Sequence, residues 1–271
     1  MRYLVTAAVL MISSIASCLA SANAHPLDPL TWQEHWVTLE VLRDAGHVDQ
    51  STSFSQVRLE QPAKDKVWKW KPGEQTNRSA FVVIRNQTGS YETIVDLTRK
   101  KLRSIKPIEN AHTMWVAQDF GAGIAAAMGH PEFIDAMKKR GIEDFTFLNC
   151  ITIPPGYFGT EKEAGKRIGH LRCNIPNGVH NTWPRQIEGL TVVVDVDSGE
   201  VLEVIDEGAS KLHDTTADFD LDSVGPLREV PGPILISQPD GPGFKVEGHQ
   251  ISWQNWNFHV RVDQRTGPNI S

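Results

Sequence analysis

The feature that most constrains the fold is a short β-hairpin pattern that occurs twice in the chain. Val95-Asp96-Leu97-Thr98 is followed by Leu102, and Val194-Asp195-Val196-Asp197 is followed by Val201 in the same way. In the second copy, Ser198 and Gly199 complete a sequence typical of a tight turn. The pattern favours two related α+β units in tandem, and the alternative is a chance resemblance between two hairpins.

The first unit is predicted to begin with a helix over about residues 31–45. Thr31 and Glu34 have the spacing of a capping box, in which each side chain binds the backbone N–H of the other residue. Gly46 can end the helix in the left-handed conformation. Alternation of apolar and polar residues then predicts strands over 54–59, 67–71, 80–85, 91–97 and 102–105, which would form an antiparallel sheet against the helix.

The second unit repeats this order. Residues 113–140 are predicted to be mostly helical, with a break near Gly129-His130-Pro131 because proline disfavours helix at the residue before it. Strands are expected over 145–153, 168–174, 190–196 and 201–206.

A polar segment follows, and then a third β-rich segment. A hairpin is expected around residues 247–250 and a strand over 256–262, but so few strands cannot bury a core alone. The segment is therefore interpreted as the beginning of a larger β domain. Pro268 lacks a backbone donor, so the tail 265–271 is expected to leave the β pattern.

The predicted fold class is α+β, with two tandem small domains that each pack a helix on an antiparallel sheet in a cystatin-like manner. The first strands of a truncated β-sandwich follow them. The predicted boundaries are a signal peptide over 1–24, small domains over 25–108 and 109–212, a linker over 213–232 and the β segment over 233–271.

The first residues have the composition of an export signal. Arg2 precedes an apolar stretch, and Ala22-Asn23-Ala24 is a small-residue cleavage site, which predicts a periplasmic or secreted protein. A bacterial lipoprotein anchored through Cys18 is a second interpretation, and an apolar core helix is a third. No later stretch is apolar for long enough to predict a membrane-spanning helix.

Charge and cysteine content limit the partners and metals. The formal net charge is −6, and loss of Arg2 with the leader would make it more negative, which disfavours nucleic acid as a partner. Cys150 and Cys173 would remain in an oxidising compartment, either joined in a disulfide or as two buried thiols. No C-x-x-C pattern supports a zinc site.

Four motifs in order resemble the copper amine oxidase family. They are 25–31 with Glu34; Phe133, Ala136 and 139–142 with Asp144; 181–190; and 237–244 with 253–258. The resemblance implies the two small domains in front of the family's catalytic β-sandwich, followed by the first part of that sandwich. It also supports the internal repeat, because the two small domains share a fold in this family.

The resemblance implies a homodimeric enzyme that oxidises primary amines to aldehydes and releases ammonia and hydrogen peroxide. Its cofactors are a topaquinone, formed from a tyrosine in an Asn-Tyr-Asp/Glu context, and a copper ion held by three histidines that include a His-x-His pair.

This sequence lacks both motifs. None of Tyr3, Tyr91 and Tyr157 follows an asparagine, and no two of the ten histidines are separated by one residue. We therefore expect no catalytic, cofactor-binding or metal-binding residue of the family here, as in a truncated gene or a fragment. The alternative function is a stand-alone exported binding or assembly module.

Overall fold

The computed structural model describes residues 25–109, 111–156, 159, 161–176, 178–212 and 217–271. The predicted signal peptide with Cys18, Tyr157 and the first residues of the predicted linker lie outside this part. The chain divides into two compact units, one comprising residues up to Thr113 together with Ile236–Ser271, and the other comprising Met114–Leu235. Each unit is described by itself.

The first unit begins with helix α1, Trp32–Asp44, and confirms the predicted capping box. The Thr31 side chain accepts a hydrogen bond from the Glu34 backbone N–H at 3.2 Å. The Glu34 carboxylate accepts one from the Thr31 N–H at 2.8 Å. Gly46 follows the helix with φ of +76°, a conformation that glycine adopts without steric strain.

Four antiparallel strands form the sheet of the first unit in chain order. They are β1 Ser53–Leu59, β2 Ser79–Asn86, β3 Gly89–Asp96 and β4 Lys101–Pro107. Leu42 from α1 and Val82, Ile84 and Val95 from the sheet are fully buried in one core cluster. The helix-on-sheet prediction for this unit is confirmed.

One predicted strand is wrong. Residues 67–71 were expected to be β, but the chain forms helix α2, Lys64–Lys69, between β1 and β2. An alternation of apolar and polar residues over only five positions does not distinguish a strand from a helical turn. Here the apolar positions are also not all buried, since Trp68 is 81% exposed. Asp65 in the first turn and Lys69 in the last match the helix dipole.

The C-terminal segment forms its own antiparallel meander. Its strands are β9 Phe244–Glu247, β10 Gln250–Trp253, β11 Trp256–Asp263 and β12 Gly267–Ile270. The predicted hairpin at 247–250 is confirmed.

The expectation for the tail is wrong, because Pro268 pairs with Val262 inside β12. This strand lies at the sheet edge, where a proline can turn its missing N–H away from the ladder.

The second unit begins with a 3-10 helix, Ala117–Gly121, and two short helices, α3 Ile124–Gly129 and α4 Pro131–Lys139. Pro131 at the first position of α4 confirms the predicted break. The sheet contains β5 Asn149–Ile153, β6 Ile168–Asn174, β7 Leu190–Asp195 and β8 Val201–Asp206, in chain order. Helix α5, Leu221–Val224, follows later.

The two units have the same strand-end geometry, as the repeat predicts. Val95 pairs with Leu102 beside a β-bulge, and Val194 pairs with Val201 beside a β-bulge at the corresponding place. The structure thus confirms the sequence overlay at these two residue pairs. Among the residues described, no helix has the length and apolar character needed to cross a membrane.

Candidate functional site

The segment that precedes α1 is fixed by one buried arginine, Arg78, which comes directly before β2. Its guanidinium donates to the main-chain oxygens of Asp28 and Pro29 at 3.0 Å each. It also binds both carboxylate oxygens of Glu34, at 2.5 Å and 3.0 Å. Arg78 is only 9% exposed, so these bonds form away from bulk water and hold residues 25–31 in place.

Two histidines and an aspartate meet in the first unit. His259, on β11, places Nε2 2.8 Å from Oδ1 of Asp28. The other carboxylate oxygen of Asp28 accepts a hydrogen bond from the main-chain N of His25 at 2.9 Å. The rings of His25 and His259 stack with centroids 4.6 Å apart. We call His25, Asp28 and His259 the His–Asp–His cluster, and one ligand atom from each lies within 4.8 Å of the others.

The surroundings of His25 lower its pKa and so favour its neutral form. Burial lowers the pKa of His25, and a positive charge on His259 would lower it further, while Asp28 opposes both effects. Nδ1 of His259 is buried without a hydrogen-bond partner. His249 lies close by, with its ring centroid 5.6 Å from that of His259, and its Nδ1 is 3.1 Å from the carbonyl oxygen of Val260.

A pocket with a volume of about 640 Å³ adjoins the cluster, and His25 and His259 are part of its wall. Trp68 and Lys64 from α2 line another part, together with Phe258 from β11. The pocket therefore combines apolar walls, one lysine and the imidazole groups, and it gives small solutes a route to the cluster.

A second group, His180, Asp218 and Asp220 in the second unit, lies at the surface and holds two loops together. His180 is 90% exposed on its side chain. The Asp218 carboxylate accepts hydrogen bonds from the backbone N–H groups of His180 at 2.9 Å and Asn181 at 3.1 Å. These bonds lower the pKa of Asp218. Its lone pairs are already used in fixing the backbone.

The cysteines singled out from the sequence lie opposite each other on neighbouring strands. Cys150 on β5 pairs with Cys173 on β6, and the structure joins them in a disulfide with Cα atoms 4.1 Å apart. Tyr91, on β3, places its hydroxyl 2.9 Å from that of Thr88 at the tip of a hairpin.

Sequence reasoning missed the His–Asp–His cluster, because Asp28 and His259 are 231 positions apart. No local spacing connects such residues. His25 and Asp28 lie in a motif that carries the family resemblance, and His259 lies in the predicted strand 256–262, which β11 confirms.

Two family models match consecutive parts of the chain, and together they cover more than half of it. The model described as "Copper amine oxidase, N2 domain" matches residues 25–108, and "Copper amine oxidase, N3 domain" matches residues 122–221. The chain belongs to the copper amine oxidase family. The N2 model matches the helix and sheet of the first unit, and the N3 model matches those of the second.

Curated amine oxidases resemble nearly all of the chain. "Amine oxidase [copper-containing] gamma 1" of Arabidopsis thaliana is 35% identical over 255 residues, which are 91% of this chain and 36% of that protein. "Primary amine oxidase" of Klebsiella aerogenes is 29% identical over 256 residues, 91% of this chain and 33% of that protein. The chain thus spans about a third of the length of these amine oxidases.

A solved amine oxidase shows the same fold. The copper-containing benzylamine oxidase from Hansenula polymorpha superposes with a TM-score of 0.71 at 20% identity, covering 91% of this chain and 42% of the other. The α+β architecture with small tandem domains is therefore that of the front part of amine oxidases.

Proposed function

We propose that this chain is the small-domain part of an exported primary-amine oxidase, and that it contributes framework and contact surface instead of redox chemistry. The observation that carries the proposal is the N2 match over residues 25–108 with the N3 match over residues 122–221 after it. The deamination of primary amines by a copper- and topaquinone-dependent homodimer is proposed for the whole oxidase.

The residues present do not fit the family's cofactors. A topaquinone requires a precursor tyrosine after an asparagine, and the sequence has none. The hydroxyl of Tyr91 already bonds Thr88 at a hairpin tip. The copper centre requires a His-x-His pair, which the sequence also lacks. We therefore assign no step of amine oxidation to a residue of this chain.

Exposed apolar side chains support a role as part of a larger protein. Ile234, Leu235 and Ile236 are consecutive and are 88–89% exposed. Runs of exposed large apolar residues are typical of surfaces that another protein surface covers. They favour an oxidase part over the alternative, a stand-alone exported module of two α+β domains.

Export is part of the proposal and rests on the leader sequence. Cleavage after Ala24 would make His25 the mature N-terminus, with its α-amino nitrogen beside Asp28. This proposal is supported if the intact mass of the secreted protein corresponds to a chain that begins at His25. A lipidated Cys18 in the mature protein contradicts cleavage after Ala24.

The activity proposal is tested by hydrogen peroxide release. The full chain is incubated with Cu²⁺ and a panel of primary amines, and the Klebsiella aerogenes enzyme serves as the positive control. We expect peroxide from the control alone. Amine-dependent peroxide together with a quinone absorbance from this chain would overturn the proposal. Gel filtration and thermal melting test the alternative, since a monodisperse, cooperatively melting chain favours the stand-alone module.

A further inference from the structure

We propose that the His–Asp–His cluster binds one divalent transition-metal ion of the Cu²⁺ or Zn²⁺ type. The proposal rests on the geometry of the first unit and does not depend on the proposed oxidase function. It concerns a site that the sequence does not reveal, because its ligands come from the segment before α1 and from strand β11.

The donor set suits such an ion. Two imidazole nitrogens and one carboxylate oxygen are ligands that Zn²⁺ accepts at about 2.0–2.2 Å, with a further position left for water. Imidazole also suits Cu²⁺. Tetrahedral bonds of that length separate ligand atoms by roughly 3.3 Å. The Asp28–His259 pair is at 2.8 Å and the whole set is within 4.8 Å, and rotation of the stacked rings of His25 and His259 is needed to bring all three atoms to one ion.

The state of His259 is a second and independent observation. Its side chain is 4% exposed, and Nδ1 has no hydrogen-bond partner. When Nε2 donates to the Asp28 carboxylate, the other ring nitrogen carries a buried lone pair without a donor. In the other neutral tautomer the proton lies on Nδ1, and the Nε2 lone pair faces Asp28. An ion between carboxylate and ring then takes the place of the shared proton.

Neighbouring contacts hold the backbone of the proposed ligands in place in the absence of an ion. Arg78 binds the main-chain oxygens of Asp28 and Pro29, and it leaves the Asp28 carboxylate for the cluster. The adjoining pocket of about 640 Å³ admits the ion and leaves room for a water ligand. A backbone fixed by such contacts keeps the ligands close to the geometry that a metal ion requires.

A plain structural hydrogen bond between Asp28 and His259 is the competing explanation, and metal titration separates the two. The full chain is stripped with a chelator and titrated with Cu²⁺ and with Zn²⁺ by calorimetry, and the Cu²⁺ complex is measured by electron paramagnetic resonance. We expect one ion per chain, with hyperfine splitting from two imidazole nitrogens. A chain that binds neither ion, or binds Cu²⁺ without imidazole coupling, overturns the proposal.

Variants locate the site. His25→Gln, Asp28→Asn and His259→Gln should each lower the affinity by at least about tenfold. His112→Gln removes an exposed histidine and should leave affinity unchanged, as should Asp218→Asn in the surface cluster of the second unit. If His259→Gln unfolds, the two variants in the N-terminal segment decide the question. Wild-type affinity in both, or loss of binding in Asp218→Asn, contradicts the site.

Discussion

The two units share one architecture but secure it with different chemistry. In each, a buried arginine comes directly before the second strand of the sheet. Its carbonyl oxygen accepts from the N–H of the residue just after the third strand, Leu97 in one unit and Val196 in the other. Arg78 then uses neutral carbonyl oxygens as well as Glu34. Arg167 binds two carboxylates, those of Asp119 and Asp197.

The difference follows from what precedes each sheet. A segment with a turn before α1 presents main-chain oxygens to Arg78, whereas the second unit begins with a 3-10 helix that carries the buried Asp119. The second unit also has a disulfide, and the first has a longer capped helix. The same backbone position can therefore carry a buried arginine that binds different partners. The loss of stability on replacing that arginine should differ between the units.

The largest expected effect is the loss of Arg167. Arg167→Met leaves Asp119, which is 4% exposed, as a buried charge without its main partner. Breaking such a pair costs about 3–5 kcal/mol. Hydrogen exchange read by mass spectrometry should show faster opening of residues 114–235 with little change elsewhere.

Arg78→Met is the matched comparison and should cost less, about 2 kcal/mol, because Glu34 is 17% exposed and regains water. If Arg78→Met destabilises its unit as much as Arg167→Met does, the contrast between the units is wrong.

Loss of the disulfide should have an effect between those of the two arginine variants. Replacing both Cys150 and Cys173 by serine removes a cross-link between residues 23 positions apart, and the loop-entropy estimate is about 3 kcal/mol. The midpoint of denaturant unfolding should fall for the second unit alone, and reducing the wild-type chain should reproduce the shift. A shift in the first unit would show that the units do not unfold separately.

The capping box gives a smaller effect in the first unit. Thr31→Ala removes the bond to the Glu34 N–H at the start of α1 and should cost about 1 kcal/mol, measured by thermal unfolding. Asp220→Ala is the control, because Asp220 caps the four-residue, exposed α5. Its effect should be below that of Thr31→Ala. An equal effect would mean that α1 does not depend on its cap.

The smallest effect is a pH dependence in the second unit. A hydrogen bond from Arg140, with a second from Lys139, lowers the pKa of Asp206 from 3.8 to about 2. A lowered folded-state pKa gives stability that is present above pH 3.8 and is lost as the pH falls towards 2.

Asp206→Asn should therefore be less stable than wild type at pH 6, and the difference should shrink below pH 4. The exposed pair of Asp65 and Lys69 provides the control variant, Asp65→Asn, which should show a much weaker trend. A difference for Asp206→Asn that stays constant down to pH 2 would contradict the lowered pKa.

The sequence by itself determined the elements whose signals are local. The capping box at Thr31 and Glu34, the break before Pro131 and the strand pairs that begin at Val95 and Val194 each depend on a few neighbouring residues. The same local reasoning failed at residues 67–71, where five alternating residues fitted a helical turn equally well. It also failed at Pro268, because the residues of a strand do not by themselves indicate whether it lies at the edge of a sheet.

Tertiary structure alone decided which polar groups meet. Nothing near Arg78 or Arg167 in the sequence indicates that both are buried or which oxygens they bind, because the partners lie 30 to 53 positions away. His259 reaches Asp28 only because the C-terminal meander belongs to the same compact unit as the N-terminal segment. Local spacing encodes helices, turns and strands, whereas buried polar clusters require contacts that only the folded chain brings together.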